Sequence, residues 1–323
     1  MKKLEKNVKG DRAHDNFHND LCKIGDMGIF MLQKMKSGIA PYLFLFPSFL
    51  IYFVFILLPI LTTAFYSFTD FNLNEYNFVG LNNYVNLFKD DIFLKALFNT
   101  IQYSIGVVVL CMVFGLLIAV ALNESWFPCR KLFRSVIYMP NIISVVAAAM
   151  IWLYMYDSRN GVINQLLGIL NLSQPNWLFD ERYALACIGL VAIWQGVGYS
   201  MIVYLSGLQG IPVFLYEAAL IDGASKVRQF FSITVPLLVP TTFFLMVMNV
   251  VTSFQVFGQV YIMTSGGPLN STTTIVHQIY MKAFQNFRMG YASSMAIVML
   301  LMTLIVTAVL TLYNRRKGGA EFD

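Results

Sequence analysis

The residues best placed to do chemistry lie between Glu217 and Pro240, in EAALIDGASKVRQFFSITVPLLVP. Glu217, Asp222, Lys226 and Arg228 crowd into this stretch, and long charge-free segments lie on both sides. Charges set between apolar spans do not pack a core, so the island is expected to project into water. Glu217–Ile221 can start a short helix, with Glu217 favourable near its positive end. Asp222-Gly223 is a turn signal, because glycine tolerates a left-handed backbone. A second short helix is expected from Ala224 onward, with Phe230 and Ile233 on a common apolar side. Ala218, Ala219 and Ala224 are small enough to admit a partner closely, and Pro236 and Pro240 mark the return to apolar sequence. On physical grounds alone this is either an ordinary surface helix-turn-helix or a grip for another protein.

A second set of residues is polar and uncharged. Trp194, Gln195 and Tyr199 fall in one apolar run, and Asn249, Ser253 and Gln255 in the next. Singly, each reads as a helix–helix hydrogen bond of a membrane protein. Together they set amides, hydroxyls and flat aromatic faces into two apolar runs. Other chemistry lacks support. His14, His18 and His277 are scattered, and Cys22, Cys111, Cys129 and Cys187 show neither zinc spacing nor a disulfide framework. No GxxxxGK[ST] phosphate loop occurs.

The elements that must position these groups follow from composition. The chain has 323 residues, 58% hydrophobic and 12% charged, about half the charge of a soluble domain. A lipid-facing surface needs none, so an integral membrane protein is expected, with the bilayer as its solvent. The basic residues, net charge +5, read as topology signals and not as a nucleic-acid patch. Six transmembrane helices are expected, at about 42–67, 101–122, 136–156, 183–208, 237–262 and 291–313. Residues 1–36 read as a polar cytoplasmic tail, 37–316 as the transmembrane domain and 317–323 as a second cytoplasmic tail. Gly28–Lys36 reads either as an amphipathic surface helix or as a linker. TSGGPLNSTTT, from Thr264 to Thr274, breaks the chain after the fifth span, and the stretch to Gly290 is expected to dip into or cap the membrane.

An even number of spans puts both termini on one side. Placing the tails, the 124–135 loop and the island in the cytoplasm gives that side 16 of the 22 Lys and Arg, as the positive-inside rule requires. The six spans contain no Asp, Glu, Lys or Arg. Ion-coupled carriers usually hold such groups in the membrane, so energy supplied by another subunit is favoured, with an ion-coupled secondary solute carrier as the alternative. A non-transporting sensor or scaffold is a third reading, for which no signalling domain is visible.

The island also carries a resemblance. Glu217, Ala218, Ala219, Asp222, Gly223, Ala224, Phe230, Ile233, Pro236 and Pro240 match, at this spacing, the EAA loop of bacterial ABC importer permeases. The chain is most similar to the carbohydrate-uptake permeases of the maltose and glycerol-3-phosphate type. FVGLNNYVNLF, GLQGIP, MTSGGPLNSTTT and FRMGYASSMA also look like that family, so the resemblance covers about residues 40–316.

It implies the all-α, six-helix fold of a type I importer permease in a bacterial cytoplasmic membrane. The chain would be a transport subunit without enzymatic activity, forming half of a carbohydrate pathway. Its implied partners are a homologous second permease, a cytoplasmic ATPase dimer and an extracytoplasmic solute-binding protein. ATP and Mg would be bound by the ATPase, with no cofactor in this chain. The island, 217–240, would be the coupling loop, with Glu217 and Gly223 most sensitive to change. Gly196, Tyr199, Asn249 and Ser253 would fall near substrate-contact positions.

Overall fold

The computed structural model describes residues 40–75, 77–124 and 129–316. The expectations for residues 1–36 and 317–323 lie outside the described residues. Among the described residues the structure is helical, with one isolated bridge between Thr69 and Phe78 and no strand. Among the described residues five helices are long and apolar enough to cross a membrane, six if a helix pair bent by 98° is counted as one span.

The chain divides into two units, Met1–Thr62 and Thr63–Asp323. The described part of the first holds α1 (Ala40–Tyr52) and a π-turn at Phe53–Leu57, followed by the start of α2 (Leu58–Tyr66). Pro47 lies inside α1. Phe44, Phe49 and Phe55 are exposed, as lipid-facing side chains should be.

The second unit takes in the end of α2, then α3 (Asn82–Leu87), and is built around the pairing of α4 (Asp91–Asn123) with α8 (Ala184–Gln209). The sequence places the start of α4 near 101. The helix starts ten residues earlier because Asp90 caps it: its carboxylate accepts from the amides of Ile92 (2.9 Å) and Phe93 (3.4 Å). Such a cap contributes about 1 kcal/mol. Two cores lie along the α4–α8 seam. One gathers Tyr103, Val107 and Cys111 with Cys187, Ile188 and Val191. The other gathers Val108, Met112, Ala119 and Leu122 with Met201, Tyr204, Leu205 and Leu208. At its far end α4 is closed by Arg134, which donates to the Leu122 carbonyl at 3.1 Å.

The third span departs most from expectation. The apolar run 136–156 reads as one helix. The structure has instead α5 (Arg130–Ile142) and α6 (Val145–Met155), meeting at 98°. Pro140 sits in the last turn of α5, where it withholds an amide donor and weakens continuation. Ile143 and Ser144 are extended. The bend is then held from α8: Gln195 donates its side-chain amide to the Ile143 carbonyl (3.4 Å), and Asn141 donates to the Gln195 carbonyl (3.3 Å). Gly198 lets α5 approach, since a Cβ there would strike the backbone at Ile137 and Tyr138.

The short helices α7 (Val162–Ile169), α9 (Val213–Ile221), α10 (Lys226–Gln229) and α11 (Val235–Leu237) connect the spans. The fifth span is also interrupted. α12 (Val239–Phe254) stops, and α13 (Gly258–Met263) resumes after three residues. The segment 264–285 then packs back on α4 and carries α14 (Ile275–Tyr280). The last span, α15 (Met289–Arg316), extends a few residues beyond the expected 291–313 at each end.

Candidate functional site: an uncharged cavity and an exposed helix-turn-helix

A cavity of about 670 Å³ opens beside the two interruptions. Asn141, Ile143 and Val145 line it from the α5–α6 bend, and residues 255–259 from the α12–α13 break. Irregular backbone is tolerated at membrane depth where it lines a cavity. Gln195, Gly196 and Tyr199 contribute from α8, and Met248, Asn249, Thr252 and Ser253 from α12. No charged side chain is among the lining residues.

Six of the seven candidate pathway residues therefore meet in one place: Gln195, Gly196, Tyr199, Asn249, Ser253 and Gln255. Trp194 does not join them. It stands edge-on to Trp152, with ring centroids 5.7 Å apart. Alternation around a helix separates neighbours in this way, since adjacent residues point about 100° apart.

Asn141 and Gln259 also reach the cavity, and sequence reading missed both. Gln259 donates its amide to the Gln195 side-chain oxygen at 3.2 Å. The amides of Asn141, Gln195 and Gln259 thus join α5, α8 and α13 in one network. The available signals were the Pro140-Asn141 pair and a lone amide in an apolar run. Asn249 reaches the Ser200 hydroxyl at 3.5 Å, while Thr252 and Ser253 bond back to their own helix. Their lone pairs and the Tyr199 ring give the cavity the means to hold a neutral, hydroxyl-rich solute by hydrogen bonds and stacking.

The island is a true helix-turn-helix. α9 starts at Val213, four residues before Glu217, so Glu217 sits in the helix interior and not near its positive end. The helix begins earlier because Pro212 is extended and stands just before its first turn. The turn falls at Asp222-Gly223. Gly223 has φ +74°, its amide donates to the Leu220 carbonyl (3.0 Å), and the Ala224 amide donates to the Ala219 carbonyl (2.9 Å). These two bonds make a Schellman motif, which satisfies the last carbonyls of α9.

Ser225 then caps α10 by accepting from the Arg228 amide at 3.4 Å. A π-turn at Phe230–Thr234 carries the chain toward α12. Phe230 and Ile233 are half-buried; Ile233 packs against the second α4–α8 core, and Phe230 lies edge-on to Phe231. The Tyr216 and Thr234 hydroxyls meet at 2.9 Å and tie the two arms. Ala219 and Ala224 are half-buried. Glu217, Ala218, Asp222, Gly223, Pro236 and Pro240 are exposed, as are the apolar side chains of Phe214, Leu220, Ile221 and Val227.

Interrupted membrane helices around an uncharged polar cavity, with an exposed helix-turn-helix between two spans, define a solute permease. Residues 111–319 match the family "Binding-protein-dependent transport system inner membrane component", and the chain belongs to it. Over 281 residues it is 39% identical to the probable ABC transporter permease protein YurN of Bacillus subtilis (strain 168), covering 84% of this chain and 94% of that protein. The arabinooligosaccharides transport system permease protein AraP of the same organism is 33% identical over 282 residues, covering 86% and 90%.

A bacterial ABC transporter involved in the import of the acidic polysaccharide alginate has the same fold. Its TM-score is 0.78 at 24% identity, covering 88% of this chain and 98% of that one. The chain is thus a multi-pass, non-enzymatic transport subunit with the ABC importer permease fold. Membership of this family sets aside the ion-coupled carrier.

Proposed function

We propose that this permease carries an uncharged carbohydrate, a sugar, oligosaccharide or related polyol, and forms half of the pathway of an ATP-driven importer. The observation that carries the reading is the 670 Å³ cavity, lined by amides, hydroxyls and an aromatic ring and by no charged group. This half of the pathway offers a charged solute no counter-ion to offset its lost hydration. The arabinooligosaccharide system named for AraP supports the same class. Gln195, Gly196, Tyr199, Asn249, Ser253 and Gln255 form the substrate surface, with Asn141 and Gln259 beside them. Trp194 supports the wall through Trp152.

The island couples the cavity to a cytoplasmic ATPase dimer, which binds ATP and Mg. Its exposed apolar side chains, Phe214, Leu220, Ile221 and Val227, are suited to a groove on that partner. Glu217, Ala218, Ala219, Asp222, Gly223 and Ala224 shape the contact, while Phe230 and Pro236 hold the return to α12. A homologous second permease completes the pathway and an extracytoplasmic solute-binding protein delivers the sugar. Both termini lie in the cytoplasm of a bacterial cell, the orientation that puts most of the basic residues inside.

Gly223→Leu tests the coupling role. A Cβ at Gly223 meets no atom within 4 Å, so the cost is a left-handed backbone, about 1–2 kcal/mol, and not a clash. The variant is expected to insert normally and lose both ATPase capture and uptake in proteoliposomes containing all partners. Uptake at the parental rate would overturn the coupling role. Gln195→Leu is expected to abolish uptake while ATPase capture stays intact, which separates the two halves of the proposal.

A further inference from the structure

A second cavity, of about 650 Å³, opens between α4 and α8. Only Tyr103 and Val107 line both cavities. Its lining changes character along the helices. On α4, Lys95 and Gln102 give way to Gly106 and Leu110; on the facing side, Arg182 gives way to Leu190 and Ile193. One end is polar and cationic, the other apolar. From Lys95 to Leu110 the groove runs about 22 Å along the helix at 1.5 Å per residue. One leaflet is about 15 Å of hydrocarbon and ~6 Å of headgroup region. The groove therefore matches the depth of one leaflet, whereas a helix from another protein would cross both.

Two features of the mouth identify the headgroup. Lys95 and Arg182 outnumber the single carboxylate there, Glu181. Ser271 also lines it; the side chain is only 8% exposed, and its hydroxyl has no hydrogen-bond partner among the described residues. We propose that the groove holds one anionic phospholipid. Its phosphate lies at Lys95 and Arg182, with the Ser271 hydroxyl donating to a headgroup oxygen. An acyl chain runs past Gly106 toward Leu110 and Ile193. The Lys95 ammonium already donates to the Leu269 carbonyl at 2.8 Å, so the lipid braces the 264–274 segment against α4. Through the bond from the Thr274 hydroxyl to the Val256 carbonyl (3.0 Å), that segment adjoins the solute cavity.

The test is lipid retention by the full chain, purified in detergent and offered equal phosphatidylglycerol and phosphatidylcholine. Native mass spectrometry is expected to find one phosphatidylglycerol per chain, preferred by about fivefold or more, since each cation near the surface contributes roughly that factor. Gly106→Leu fills the groove without disturbing its walls, because a Cβ there meets no atom within 4 Å. It is expected to bring retention down to the phosphatidylcholine level, while Gly106→Ala leaves it intact. Arg182→Gln is expected to lower the preference about fivefold. Equal retention of the two lipids, or unchanged retention in Gly106→Leu, would overturn the proposal. So would loss of the lipid on assembly with the second permease, which would make the groove a subunit interface.

Discussion

Two polar segments interrupt the second half of this chain, and they are built in opposite ways. The island between α8 and α12 holds four charges and turns its apolar side chains outward: Ile221 is 86% exposed. The segment that follows α13 has no charge from Thr264 to Met281 and turns its polar side chains inward. Thr272, Thr273 and Thr274 are fully buried and His277 nearly so.

The difference lies in where the backbone groups find partners. The island satisfies its own turn through the Schellman bonds at Gly223. The inward segment is stitched to α4. Asn99 donates to the carbonyls of Asn270 (3.1 Å) and Thr273 (2.9 Å), and the Thr100 hydroxyl accepts from the Ile275 amide (3.1 Å). Polar sequence between spans thus takes two forms: charged, it stands exposed with its apolar side chains outward; hydroxylic and uncharged, it becomes a hydrogen-bonded plug.

The contrast breaks most readily at Asn99. Asn99→Leu strands two carbonyls and is expected to destabilise the chain by about 2–4 kcal/mol, read as a lower thermal midpoint in detergent. Near the same end of α4, Asp90 accepts from the Tyr291 hydroxyl (3.1 Å) and pairs with Lys282 (3.6 Å), besides capping α4. Burial pushes its carboxyl up, but the Tyr291 hydroxyl, the Lys282 ammonium and the Ile92 and Phe93 amides outweigh burial and hold it below the usual carboxylate value. A depressed carboxyl contributes stability above its unfolded pKa and loses it as pH falls through the folded one. The midpoint of the parental chain is therefore expected to fall more steeply below about pH 4 than that of Asp90→Asn. At neutral pH that variant should cost about 1–2 kcal/mol, from the weakened cap and pair.

His277 sharpens the comparison with a pH arm at milder values. Its Nδ1 shares a hydrogen bond with the Thr273 hydroxyl at 2.9 Å, and its Nε2 has no partner among the described residues. Burial lowers its pKa. Because the folded value is depressed, the neutral ring stabilises the segment above about pH 6.5 and this is lost as pH falls below it. Protection of the amides of residues 271–278, exchange taken relative to the intrinsic rate at each pH, should fall below about pH 6.5 in the parental chain and stay level in His277→Gln. The smallest effect belongs to the island. Lys226 pairs with Glu124 at 3.1 Å, but Lys226 is 78% exposed. Lys226→Gln should change stability by less than about 1 kcal/mol, which a thermal scan in high and low salt would check.

Much of this was legible in the residues. Charge-free runs marked the spans, because lipid tolerates no unpaired charge. Asp222-Gly223 marked the turn, because only a residue free of Cβ strain takes φ +74° easily. These are local or one-dimensional signals. Gln195 and Asn249 could be picked out as polar residues in apolar runs, but not Gln195 as the acceptor for Gln259. Two things came only with tertiary structure: the 98° bend beside Pro140 and the inward packing of Thr272–Thr274. Each depends on partners distant in sequence. The bend is held by Gln195, more than fifty residues away, and the plug by Asn99, more than one hundred and seventy away. A hydrogen bond across that separation leaves no periodicity in the chain. It exists only once the helices have packed and water is no longer there to take its place.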